Sequence, residues 1–338
     1  MDIAIDLGTC RTRIFIKGRG VVLDEPSVIA YNTVTHEIIA AGQDAHEMIG
    51  RTPPYINAVF PLANGVISKA ALVEDMVNIF MSRVCQKRLM MPRVAACIPG
   101  EITEVEQHAV VNALSSCGVR RVCLIEAAKA AAMGSDLPFN SPHGSLVVNA
   151  GGGTTDIAVI SLGGIAACKT LKIGGNLMDE EIVKLVRHKH SLLVGTVSAE
   201  KCKISIGTLL QPNEEKECTL KGRHILKNLP QTVKITSSGI RNAILPIAEQ
   251  IAKSILSVLE VTPPELLSDI QSDGLTLCGG LANLPGFDAL IEQHTELKVT
   301  VPENPDLRVI EGCGIATQYL DGVSKYYGEN VMPLKVAH

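Results

Sequence analysis

A chain of 338 residues, 46% hydrophobic and 20% charged, has the apolar content for a sizeable buried core and the length of about two domains. Its net charge of -4 excludes the broad basic surface on which nonspecific nucleic-acid binding rests, so nucleic acid is not an expected partner. Ten cysteines without a Cys-x-x-Cys pair, and the lack of any apolar run near the roughly 20 residues of a membrane span, point to reduced thiols in the cytoplasm and at most peripheral membrane contact.

In chain order, "IAIDLGTCRTRIFI", Ile3 to Ile16, reads as a buried strand that reaches Asp6, turns through Gly and Thr, and returns as a second strand. "VCQKRLMMPRV", Val84 to Val94, puts Leu89, Met90 and Met91 at an expected loop tip beside Lys87, Arg88 and Arg93. That apolar and cationic composition suits an anionic membrane surface; the alternative is that the three residues cover core. Arg93 to Gly100 reads as a strand, and Thr103 to Gly118 as an amphipathic helix capped by Thr103 with Glu106 in support. "RVCLIEAAKAAAMG" is a strand running into an alanine-rich helix.

"SLVVNAGGGTTDIAVIS", Ser145 to Ser161, repeats the design of the first hairpin. Without a gap, Asp6 pairs with Asn149, Gly8 with Gly151, Thr12 with Thr155 and Ile14 with Ile157. Glycine turns of this kind let backbone amides close on a phosphate, and two related halves invite a nucleotide in the cleft between them. His188 and His190 sit among Arg187 and Lys189 on a polar helix face, where cationic neighbours repel a metal. "IRNAILPIAEQIAKSILSVLEVTPPELL" carries helical spacing up to Pro263 and Pro264, and "GLTLCGGLANLPGFDALIEQH" is strand, glycine turn, helix. The alternation is an α/β pattern.

With these residues laid out, the chain resembles the MreB family of bacterial actin homologues. "IDLGT", "KGRGVVLDEPSV", "GRTPPYI", "ITEVE", "GGGTTDIAVISLGGI", "SAEKCKISIG" and "TVKITSSGIR" all fall in family order. The resemblance implies an actin-like ATPase fold: two related halves with RNase H-like cores, four subdomains, and a nucleotide cleft between the halves. It places subdomain IA at 1–31, 67–142 and 323–338, IB at 32–66, IIA at 143–178 and 246–322, and IIB at 179–245. It also implies ATP or ADP with Mg2+, self-assembly into filaments under the inner membrane, and a role in cell shape and cell-wall synthesis. Gly8, Thr9, Cys10, Arg11 and Thr12 correspond to the first phosphate loop, and Gly151, Gly152, Gly153, Thr154 and Thr155 to the second. Gly279 and Gly280 correspond to the adenosine loop, and Glu200 and Lys203 to a pair that contacts ribose and adenine.

Several positions depart from the family pattern. At the metal, Asp6 remains but Asn149 replaces an aspartate; an amide reaches a metal only through water and adds no charge, so Mg2+ should be held less well. Ala127 stands where the family's glutamate positions the hydrolytic water, with adjacent Glu126 as a doubtful rescue. Arg11, usually asparagine, either reaches phosphate and offsets charge the metal no longer neutralises, or points to solvent. Asn176 replaces an aspartate, and Leu281 replaces a glycine in the adenosine loop, where it threatens to crowd the base. The chain begins at its first strand without an N-terminal amphipathic helix, leaving membrane contact to the loop at Leu89 to Met91.

The leading expectation is therefore a cytoplasmic, actin-like filament protein, peripheral at the inner membrane, with ATPase activity weak or lost. The alternative is a non-hydrolysing paralogue that assembles with or regulates an active relative and the membrane proteins of cell-wall elongation. A small-molecule kinase or chaperone ATPase fits less well, since no substrate-side base and no peptide-binding domain are found.

Overall fold

The computed structural model describes residues 1–85, 91–211, 214–324 and 335–336. Two large sheets share one topology. In the first, Asp2–Leu7 pairs antiparallel with Arg11–Ile16, which pairs with Gly20–Pro26; on its other side Asp2–Leu7 runs parallel to Arg93–Ile98, followed by Arg121–Glu126. In the second, Ser145–Ala150 takes the place of the opening strand, flanked by Thr155–Ser161 and Gly164–Leu171 on one side and by Leu275–Cys278 and Val299–Thr300 on the other. The two opening hairpins have matching register: Asp6 faces Arg13 across the first, and Asn149 faces Asp156 across the second. The internal repeat read from sequence is thus a repeat of topology, and the two halves form the expected α/β actin-like fold.

Each half carries a smaller sheet, Ile38–Ala41, Ile29–Asn32 and Ile56–Val59 in one, and Leu192–Leu193, Glu217–His224 and Pro230–Thr236 in the other. Local signals set the helix boundaries. Thr103 Oγ1 accepts from the Glu106 backbone amide while Glu106 Oε2 accepts from the Thr103 amide at 2.7 Å, the reciprocal cap that starts Glu104–Ser115. The long helix runs Ser237–Leu259, and Pro263 and Pro264 begin a separate helix, Pro264–Asp273.

Between the two large sheets lie the alanine-rich helix Ala127–Gly134 and the helix Arg308–Ala316. Their buried faces share one core with Ala4 and Ala95 from the first sheet and Val147 and Ala158 from the second. They cross so closely that a Cβ on Gly134 would lie 1.9 Å from the Arg308 carbonyl oxygen, and one on Gly312 1.8 Å from that of Ala130. Only glycine permits this approach. The expected boundary at 322 assigned Arg308–Ala316 to the second half, yet it packs on Asp2–Leu7, Arg11–Ile16 and Arg93–Ile98 of the first. The reason is that its apolar residues Val309, Ile310 and Cys313 find their partners on the alanine-rich helix and on strands of the first sheet.

Candidate nucleotide site

The two glycine turns face each other across one cleft. It is lined by Asp6, Gly8, Thr9 and Cys10 from the first turn, Asn149, Gly151 to Thr154 from the second, and Gly279 and Gly280 from the loop after Leu275–Cys278. The turns interdigitate: a Cβ on Gly152 would lie 2.2 Å from Cys10 Sγ, and one on Gly153 2.3 Å from Thr9 Oγ1. Thr9 Oγ1 accepts from the Gly65 amide at 2.8 Å, and the Cys10 thiol donates to Asn176 Oδ1 at 2.9 Å, tying the first turn to the second half. The cavity so enclosed is about 160 Å³, below the roughly 300 to 1,000 Å³ of ligand sites. Cys10 is no nucleophile here, since burial pushes its thiol up to about 11.

Thr12 and Thr155 do not offer hydroxyls to the cleft. Ser27 Oγ donates to the Gly8 carbonyl at 2.7 Å, so the Thr12 hydroxyl is the donor in its 2.9 Å bond to Ser27. Thr155 Oγ1 donates to the Ile173 carbonyl at 2.9 Å. Both threonines are fully buried and hold the turns in shape. Thr9 and Thr154 are the threonines that line the cleft. Gly279, at φ 89°, lies where a Cβ would meet the Ala150 carbonyl at 2.3 Å, which explains why this loop needs glycine. Leu281, feared as a crowding residue, instead turns into the core of the second half.

The helix Thr196–Ile206 carries Glu200 and Lys203. Lys203 is buried, its Nζ donating to the Gly175 carbonyl at 2.8 Å and to Asp179 Oδ2 at 2.9 Å. Lys203 is therefore a strut under the turn at Gly175. Burial outweighs the lysine charge at Asp179 and raises its carboxyl to about 7. Glu200 is partly buried on the same helix and adds negative charge toward both Cys10 and Asp179.

Ala127 lines the cleft with a methyl group and brings no carboxylate to it. Its neighbour Glu126 is 5% exposed, stands at the N-cap position of the alanine-rich helix without a side-chain cap bond, and lies 3.2 Å from Lys129 Nζ. Arg11 lines the cleft at its rim, held there by Asp24. Its Nε sits 2.6 Å from Asp24 Oδ1 and its Nη2 donates to the Asp24 carbonyl, with the side chain 42% exposed at the rim. The more buried of the two arginines lining the cleft is Arg13, which donates from Nη1 and Nη2 to the Asp306 carbonyl and to Asp306 Oδ2, both at 2.8 Å. Arg13, Asp306 and Asp156 went unread in the sequence; for Arg13 and Asp156 the available signal was a charged residue in a largely buried strand, while Asp306, outside any strand, gave none.

The donors present do not fit a tightly held Mg2+. Asp6 is raised to about 6 by burial and faces Arg13 across the hairpin. Asp156 Oδ1 already accepts from the Gly100 amide at 3.0 Å and Thr170 Oγ1 at 2.7 Å, Asp306 is held by Arg13, and Asn149 brings no charge. Among the described residues no group of three His, Cys, Asp or Glu stands ready for a metal, His188 and His190 included. Met91 is 66% exposed, while Leu89 and Met90 lie outside the described residues. No helix among the described residues is long and apolar enough to cross a membrane.

With this geometry in place, the relatives are informative. The model of the MreB/Mbl protein family matches residues 1–325. The cell shape-determining protein Mbl of Bacillus cereus is 39% identical over 325 residues, covering 96% of this chain and 98% of the relative. MreB of Escherichia coli is 38% identical over 326 residues, covering 95% and 94%. Among solved structures, MreB5 of Spiroplasma citri bound to ADP superimposes with a TM-score of 0.91 at 34% identity, covering 96% of this chain and 98% of that one. A MamK double helical filament, at 19% identity and a TM-score of 0.79 over 95% and 99%, shares the fold. The paired glycine turns, the matching sheets and these likenesses over nearly the whole length place the chain in the MreB/Mbl family of actin-like, cell-shape cytoskeletal proteins.

Proposed function

We propose that this protein binds adenine nucleotide in the cleft between its halves, assembles with its own copies into filaments at the inner face of the cytoplasmic membrane, and hydrolyses ATP weakly or not at all. The observation that carries the reading is the pair of hairpins of matching register whose glycine turns converge on one cleft beside Gly279 and Gly280. MreB5 of Spiroplasma citri has been solved with both ADP and AMPPNP, and a MamK relative as a filament, which supports the nucleotide and the assembly. Membrane contact rests on exposed Met91 and its apolar, cationic neighbourhood in sequence.

Asn149 and Ala127 line the cleft without a carboxylate, and this favours a second reading: a non-hydrolysing paralogue that assembles with an active MreB and the membrane proteins of cell-wall elongation. Hydrolysis needs a positioned water and a clamped phosphate, and a positioning group contributes on the order of 10² to 10⁴ in rate. Phosphate release under polymerising conditions tests the loss of hydrolysis in the parent, Ala127→Glu, Asn149→Asp and the double variant. The parent should sit near background and the double variant should exceed it by about 100-fold. A parent that already hydrolyses at a rate the double variant does not exceed would defeat the reading.

A further inference from the structure

Beyond Arg11, the cleft is lined by a second cation, Arg13. Arg13 is 9% exposed, lines the cleft, and stands in register opposite Asp6, on the sheet face from which a phosphate-bound metal would be held. A guanidinium has five N–H donors. In Arg13 the hydrogen bonds go to a single residue, Asp306, through Nη1 and Nη2, while Nε lies 3.2 Å from Asp24 Oδ1 without being aligned for a hydrogen bond. Nε is closed off against Asp24, but Nη1 and Nη2 each carry a second N–H beyond the bond to Asp306, and these are the donors that a residue lining the cleft can offer an anion.

Its surroundings explain how it is held in place. Asp24, its register partner on the third strand, is shared with Arg11, and Asp306 comes from the segment just ahead of the Arg308–Ala316 helix. The result is a row of alternating charge, Arg11, Asp24, Arg13, Asp306, that runs from the rim inward.

We propose that Arg13 is a built-in phosphate-binding cation, which compensates the charge of the nucleotide's phosphate chain in place of a divalent metal. The proposal rests on the nucleotide reading above and deepens it. The ligand class is a nucleoside di- or triphosphate, whose phosphate oxygens take the free donors of Arg13. The charge compensation assigned to Arg11 on sequence grounds belongs instead to the arginine two residues further along the same strand, because Arg11 is held at the rim by Asp24.

The test titrates fluorescent ATP and ADP analogues against the parent, Arg13→Lys, and the double variant Arg13→Leu with Asp306→Leu, each with Mg2+ and with chelator. The double substitution removes the cation together with the carboxylate it holds, and leaves Asp24 its bond to Arg11. The parent should change affinity by less than about threefold on chelation. The double variant should bind about 10- to 100-fold more weakly in chelator, the loss expected for a charge-assisted contact, while Arg13→Lys keeps most of the affinity. Circular dichroism establishes that the variants are folded; should the leucine pair unfold, Arg13→Gln with Asp306→Asn replaces it, with the same loss expected. A parent that binds tightly only with Mg2+, or a folded double variant that matches the parent in both conditions, overturns the proposal. A parent that binds neither analogue in either condition removes the nucleotide reading itself, and the proposal falls with it.

Discussion

Replacing Gly312 by alanine should separate the two helices that join the halves of the molecule. The added Cβ would lie 1.8 Å from the Ala130 carbonyl oxygen and 2.6 Å from the Gly134 amide nitrogen, both backbone atoms that no rotamer change can move. Restoring a contact of about 3.2 Å requires the helices to part by roughly 1.4 Å, and a gap of even 0.5 to 1 Å forfeits a quarter to a half of each dispersion well along the seam. The seam is lined by Ala130, Ala131, Ile310, Cys313 and Ala316, all buried, so the loss is spread over a continuous core. Overpacking ordinarily costs about 1 to 3 kcal/mol, and a backbone clash on this scale belongs at the upper end. With an unfolding entropy of about 2.1 cal/mol/K per residue, 338 residues give about 0.7 kcal/mol/K, so a loss of about 3 kcal/mol should lower Tm by about 4 °C. Gly280→Ala is the control, since a Cβ there meets nothing within 4 Å and its φ is not positive. Thermal melts followed by circular dichroism decide the matter. A Gly312→Ala variant that melts within about 2 °C of the parent would show that the seam yields and that the glycine is not required.

The remaining predictions concern charge. Burial raises Asp6 from 3.8 to about 6 and Asp179 from 3.8 to about 7, so each favours folding most below its unfolded pKa, and that stability is lost as pH rises through the folded value. Unfolding free energy from denaturant titrations should therefore fall between about pH 4 and 7, by at most about 3 kcal/mol for Asp6 and 4 kcal/mol for Asp179, and Asp6→Asn should flatten part of the slope; a flat parent profile would refute the burial argument. Lys203→Met should strand the Asp179 carboxylate, costing about 3 to 5 kcal/mol at pH 8 and clearly less at pH 5.5, where Asp179 is protonated, and melts at the two pH values measure the difference.

What was legible in the sequence was local or repeated. The two hairpins could be superimposed because strand, glycine turn and return strand recur at matching spacing, and their register agrees down to the partners of Asp6 and Asn149. The reciprocal cap of Thr103 and Glu106 was legible because it lies within one turn of helix. What stayed hidden was direction and distance. A threonine beside a glycine turn has the same spelling whether its hydroxyl faces the ligand or the chain, and only the folded turn shows that Thr12 faces Ser27 and Thr155 faces Ile173. The helix Arg308–Ala316 could not be assigned to a half from sequence, because its partner faces lie more than a hundred residues away on the alanine-rich helix and the first sheet.

The same limit applies to the charged departures, and it changes how they should be read. Arg11 stood out as a single substitution beside a phosphate loop, whereas in the structure it is the outermost of four alternating charges that end at Asp306, itself 293 residues from Arg13. Arg11 and Arg13 lie on the same face of one strand, so their different fates come from depth alone: the first is half in solvent with Asp24 and the second is enclosed. Removing any one member alone leaves an opposite charge without part of its pairing, and the measured loss then mixes that penalty with the function of the group removed. Groups that share partners in this way are not additive. The row therefore has to be perturbed in matched pairs, and the contrast between the outer pair, Arg11 with Asp24, and the inner pair, Arg13 with Asp306, separates a structural clasp at the rim from a cation that serves the cleft.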